Sequence, residues 1–205
     1  MLHGFGANHS DAMAGMNPTQ AVALRVDGHQ LAPMALVTVD GGGGYWNPHP
    51  DDDPMGMVVD ELIPLCQRLG LGRSPQKIGT MGISMGGYGA LLLAEKHPDL
   101  ISAVAAISPA IWTSYSEAQS ANAAAFDSDE SFRRNDAIAL APRLKGIPVR
   151  VAAGDRDPFR PGVEALFEVL PVGSTARISR GCHTGPFFES QEPPSLSFLA
   201  KHLAD

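Results

Sequence analysis

Short apolar runs recur along the chain, with helix-like stretches between them. The runs Met34–Asp40, Lys77–Ile83, Ile101–Ile107, Pro148–Ala153 and Ala176–Ser179 predict strands. Between the first two, Asp53–Leu69 predicts a helix with Asp53 as N-cap and Pro54 at its first position. Leu62, Leu65, Cys66 and Leu69 share one face at helical spacing, which predicts a buried stripe with Cys66 as a small core residue. Further helices are predicted over Met85–Lys96, with His97 as a cap before Pro98, over Val163–Leu170 and over Pro194–Leu203. Strands alternating with helices imply a mostly parallel sheet covered by helices on both faces. Residues 111–145 are rich in Ala, Ser and Asp with scattered aromatics, and they break that alternation. They are expected to form a small inserted cap in a single domain spanning 1–205.

Composition narrows the class. The chain has 205 residues, 44% of them hydrophobic and 18% charged. A chain of this length buries roughly 70% of its unfolded surface and needs no staples. The 22 Gly and 17 Pro stay below the range of low-complexity sequences. The net charge of −7 comes with no basic stripe, which speaks against a nucleic-acid partner. Two cysteines make no disulfide framework. The aliphatic runs are too short for a membrane span, and the first thirty residues lack the features of a signal peptide. As written, the chain is expected to be soluble and cytoplasmic, and to be secreted if a signal segment precedes it. Oligomeric state is left open.

The chemistry concentrates at Gly82-Ile83-Ser84-Met85-Gly86, a G-x-S-x-G motif with a predicted strand before it and a predicted helix after it. That context puts a nucleophilic serine on a strained turn above the sheet edge. Glycine at 82 and 86 relieves crowding around the turn. Such a serine needs an acid and a base following in the order Ser, Asp, His. Gly154-Asp155-Arg156-Asp157 leaves a predicted strand; the spacing favours Asp157 as the orienting carboxylate and makes Asp155 a turn residue. His183, in the loop after the last strand, is the candidate base, and Cys182 beside it reads as packing. For an oxyanion hole, the candidates are the amides of Met85 and of Phe5, the latter in His3-Gly4-Phe5-Gly6.

Candidates for lining the substrate pocket are Tyr45, Trp46, Trp112, Phe159 and Phe187, with Phe188 beside them. Gly41–Gly44 lacks a nucleotide-binding pattern. His49 with Asp51, Asp52 and Asp53 reads as a solvated turn and helix cap rather than a metal site.

These motifs together, with Gly87-Tyr88-Gly89 after the elbow and Asp157-Pro158-Phe159 at the acid, resemble the α/β-hydrolase superfamily. Within it, the chain is similar to the esterase family that includes esterase D and the mycobacterial mycolyltransferases. The resemblance covers nearly the whole chain. It implies a serine hydrolase that cleaves carboxylic esters of small molecules through Ser84, His183 and Asp157 and an acyl-enzyme. It implies no metal or organic cofactor. Acyl transfer to a sugar or lipid alcohol, and a non-catalytic binding role on the same fold, are the alternatives. In this fold the His-Gly loop follows a central strand, for which only Met1 and Leu2 are present, so N-terminal strands are expected to be missing.

Overall fold

The computed structural model describes residues 1–14, 25–26, 29–31, 34–71 and 77–203. A short helix α1 (His9–Ala14) and an antiparallel pair of two-residue strands, β1 (Arg25–Val26) and β2 (His29–Gln30), come first. Next is a helical stretch made of α2 (Pro54–Gly56), a π-helical segment (Met57–Leu62) and α3 (Ile63–Arg68). Then β3 (Ile78–Ile83), α4 (Met85–Lys96) and β4 (Ile101–Ile107) form one strand–helix–strand unit. Between β4 and β5 (Val149–Gly154) lie α5 (Tyr115–Ala121), α6 (Asp129–Arg134), α7 (Ala137–Leu140) and a 3-10 turn (Ala141–Leu144). The chain ends with α8 (Arg160–Phe167), β6 (Thr175–Ser179) and α9 (Gly185–Leu203).

The main sheet is parallel throughout, in the order β3-β4-β5-β6. Period-two alternation along β4 separates two cores. Ala103, Ala105 and Ile107 face Leu196 and Leu199 of α9, while Val104 and Ala106 face the cluster containing Leu91 and Leu92 of α4. Helix α4 is buried from Met85 to Glu95, as expected of a central helix apolar on every side. Serine and aspartate side chains cap the helices of the excursion between β4 and β5: Ser114 opens α5, Ser128 opens α6 and Asp136 opens α7. Phe126, Phe132 and Leu144 from this stretch join the α4 core.

Three expectations are corrected. Met34–Asp40 forms no strand. It lies beside Met1–His3, where the Met1 nitrogen bonds the Val37 carbonyl at 2.6 Å and Leu2 makes a single parallel bridge to Gly82. Among the described residues its backbone joins no ladder, and a ladder of paired bonds is what makes a strand. The helix after Asp53 starts where predicted, with the Asp53 carboxylate accepting the Gly56 N–H, but its buried face differs. Met55, Val58 and Ile63 are buried, whereas Leu65 and Leu69 are 43% and 66% exposed. The π segment, in which Ile63 N–H bonds the Val58 carbonyl five residues back, rotates the apolar stripe away from its 3.6-residue phase. Finally, α9 starts at Gly185, where the Thr184 carbonyl accepts the Phe187 and Phe188 N–H groups, and it carries Pro193 and Pro194 inside. Pro194 therefore marks no helix start.

Candidate active site

Ser84 sits between the end of β3 and the first turn of α4 with φ +57° and ψ −119°. A non-glycine residue in that conformation costs about 1–3 kcal/mol and persists only where its surroundings enforce it. Here the Ser84 N–H bonds the Ile107 carbonyl at 2.9 Å, and its own carbonyl accepts the Tyr88 and Ala110 N–H groups, each at 3.0 Å. The flanking glycines are a steric requirement. A Cβ on Gly82 would lie 2.1 Å from the Gly86 carbonyl oxygen, and one on Gly86 would lie 2.0 Å from that of Leu2.

The loop after β6 brings His183 to this turn. The Ser84 hydroxyl donates to His183 Nε2 at 2.8 Å. On the far side of the ring, Nδ1–H donates to Asp157, 3.0 Å from Oδ2 and 3.1 Å from Oδ1. Asp157 is buried and also accepts the Phe159 N–H at 2.9 Å. Burial alone would push the Asp157 carboxyl up, but the bonds from His183 and Phe159 outweigh it and hold its pKa below the usual range. Asp155 does something else. Its Oδ1 accepts the Gly181 N–H at 2.9 Å and ties the β5 exit to the His183 loop.

Two backbone N–H groups in the adjoining segments are unengaged among the described residues, that of Met85, which opens α4, and that of Phe5. Gly4 packs against the turn closely enough that its Cβ position is 3.6 Å from the Ser84 Cβ. Behind this loop, His3 Nε2 accepts the Gly41 N–H at 3.0 Å, which leaves the proton on Nδ1, 2.9 Å from the Gly4 carbonyl.

Aromatic rings form a continuous series that ends on His183. Phe5 meets Tyr45 (centroids 6.2 Å apart), Tyr45 meets Trp112 (5.0 Å), and Trp112 meets Phe159 (5.4 Å). Phe159 and Phe188 then flank His183 at 5.1 and 5.0 Å. Phe5 is exposed, and Trp112, Phe159 and Phe188 are half-buried. Three of the expected lining residues are buried: Trp46, Phe187 and Tyr45, the last of which meets the series only through its contacts with Phe5 and Trp112. Trp46 is buried against Gly41 and Gly89 with its indole N–H on the His3 carbonyl, and Phe187 is buried beneath Gly181. Each is adjacent in sequence to another ring, and adjacent residues point to different sides.

The family model described as "Putative esterase" matches residues 1–172. The chain belongs to that family. It is an esterase-type hydrolase. No curated protein matches it. Among solved structures, it is similar to a ferulic acid esterase at 19% identity, with a TM-score of 0.79 over 98% of this chain and 83% of that one. It is also similar to the serine hydrolase FphF of Staphylococcus aureus (13%, TM-score 0.77, 97% and 81%). A third likeness is to MPT51 of Mycobacterium tuberculosis (16%, TM-score 0.76, 98% and 88%). At these identities the likeness is one of fold, and the fold is that of the α/β-hydrolases.

Two features of this esterase are invisible in its sequence. The His3 side chain reads only as part of a turn motif, because nothing local signals that Gly41 supplies its partner. His49 reads only against its neighbouring aspartates, yet its ring reaches Asp127, 78 positions away. Asp53 caps α2 as expected, and among the described residues no group of three or more His, Cys, Asp or Glu side chains is arranged to hold a metal. Also among them, no helix is long and apolar enough to cross a membrane.

Proposed function

We propose that the esterase cleaves small carboxylic esters with Ser84 as nucleophile, His183 as general base and acid, and Asp157 as the carboxylate that orients the imidazole. The observation that carries this reading is the 2.8 Å hydrogen bond from Ser84 to His183 Nε2 at a strained strand-to-helix turn. His183 takes the serine proton as Oγ attacks the ester carbonyl. The N–H groups of Phe5 and Met85 receive the negative charge that develops on the carbonyl oxygen. His183 then protonates the leaving alcohol, and water repeats the sequence on the acyl-enzyme. Asp157, held ionised, keeps the proton on Nδ1 and stabilises the imidazolium.

The rim of Phe5, Trp112, Phe159 and Phe188 suits short or flat acyl groups. The cavity that Trp112 lines together with Tyr88, Phe126 and Phe132 is about 10 Å³, room for no more than a water molecule. The test is hydrolysis of p-nitrophenyl esters from acetate to octanoate by wild type and Ser84→Ala. Turnover that falls with chain length and vanishes in the variant supports the reading. Turnover that survives in Ser84→Ala overturns it.

A further inference from the structure

The imidazole of His49 lies between two acceptors. Its Nδ1 is 2.9 Å from Asp127 Oδ1, and its Nε2 is 2.8 Å from the Gly44 carbonyl. Neither a carboxylate nor a carbonyl can donate, so both contacts are hydrogen bonds only when both nitrogens carry protons. The neutral ring would have to turn a lone pair toward one of these oxygens.

The two anchored points belong to the two segments that bring Tyr45 and Trp112 together. The Gly44 carbonyl belongs to the peptide linking Gly44 to Tyr45, and both Tyr45 (φ +56°) and Trp46 (φ +57°) hold left-handed backbone that non-glycine residues rarely adopt. Asp127 belongs to the excursion that carries Trp112 and Phe126. One further bond joins these segments, from the Asn47 side chain to the Ala125 carbonyl at 2.9 Å. Tyr45 packs on Trp112 where they meet.

We propose that His49 is a positioning residue of this esterase: as a doubly protonated bridge between the Gly44 carbonyl and Asp127, it holds the Tyr45 turn against Trp112 and so keeps the aromatic wall of the pocket in place. The inference rests on the reading of Ser84 as the esterase site. The charged groups facing the ring are Asp127, from the chain between α5 and α6, and Asp52 of its own turn. Burial alone would lower the pKa of His49, but the bonds to Asp127 and Gly44 and the charges of Asp127 and Asp52 raise it above the ordinary histidine value. The bridge therefore outlasts the pH at which an ordinary histidine loses its proton, and it opens as the solution becomes more alkaline.

The test pairs kinetics on p-nitrophenyl acetate with imidazole ¹⁵N shifts of the whole protein. His49→Ala is expected to raise KM about tenfold and leave kcat within about threefold, a split that marks lost binding geometry rather than lost chemistry. It should also remove the alkaline rise in KM expected of wild type, while Asp127→Asn shifts that rise to lower pH. In wild type, both His49 nitrogens should be protonated at pH 7. A His49 that is neutral at pH 7, or variants whose KM and pH profile match wild type while Ser84-dependent turnover is intact, would overturn the proposal. Absence of any Ser84-dependent turnover would instead overturn the reading beneath it, and the nitrogen shifts would still decide whether the bridge exists.

Discussion

The Nδ1–H of His3 donates to the carbonyl of Gly4 at 2.9 Å, while Gly41 fixes the other ring nitrogen. In a trans peptide, C=O and N–H point in opposite directions. Anchoring the Gly4 carbonyl therefore aims the N–H of the same peptide, that of Phe5, away from His3. His3 is buried, so the anchor is shielded from competing water. A side chain that never meets the substrate thus sets the direction of one proposed oxyanion donor.

His3→Ala should accordingly lower kcat on p-nitrophenyl acetate by about 10- to 100-fold with KM within about threefold. Removing an oxyanion donor outright costs about 10²–10³ in kcat, and a misaimed one costs less. Steady-state kinetics on variant protein whose thermal unfolding remains cooperative would check this. Equal kcat in variant and wild type would show that the Ala7 N–H, which donates to the same carbonyl at 3.2 Å, holds the peptide without His3.

The two aspartates after β5 should separate cleanly. Asp157→Asn keeps the shape but removes the charge opposite the His183 Nδ1–H, and kcat should fall by about 10⁴. Asp155→Asn should keep activity within about tenfold and cost about 1 kcal/mol of stability, since its carboxylate serves the Gly181 N–H. Measuring kcat and Tm of both variants side by side decides the assignment. The reversed pattern would exchange their roles.

What the sequence reveals and what it hides divide along the same physical line. Ser84, Asp157 and His183 lie just after β3, β5 and β6, so local punctuation by glycine and loop residues locates them, and a parallel sheet gathers strand ends on one edge. Asp53 is legible for the same reason: a cap satisfies the helix that follows it. Met34–Asp40 has strand character, but a strand is made by its neighbour, and its neighbour here is Met1–His3. The π segment at Met57–Leu62 changes which leucines face inward without altering composition at all. Trp46 and Tyr45 look alike as candidates, and only the packing of Trp46 on Gly41 and Gly89 tells them apart.

The elbow glycines allow a stringent test of packing. Gly86→Ala would place a methyl 2.0 Å from the Leu2 carbonyl oxygen, a backbone atom that cannot swing aside. The expected cost is about 3 kcal/mol or more, with loss of activity because Ser84 must move with α4. By contrast, Gly6→Asn, at φ +74° with nothing within 4 Å of its Cβ position, should be tolerated within about 1 kcal/mol. Urea denaturation of both variants would check the contrast.

The last prediction concerns pH and stability. Glu192 on α9 is buried, and burial together with the charge of Glu189, one turn earlier, raises its pKa from 4.5 to about 7. An acid whose pKa rises on folding makes the folded state bind more protons than the unfolded chain between those two values. The contribution of Glu192 to stability is therefore full below about pH 4.5, declines as pH rises toward 7, and levels off above it. Glu192→Gln removes the ionisation and should leave stability flatter across that window, with a gain over wild type of up to about 3 kcal/mol at pH 8. Glu95, buried in α4 and pushed well above the usual range by burial and by Asp136, acts in the same direction in both proteins, so the difference between them isolates Glu192. Urea unfolding at pH 5 and pH 8 reads it directly: a gap between variant and wild type that fails to widen at pH 8 would mean that Glu192 ionises in the folded state as it does in the unfolded chain.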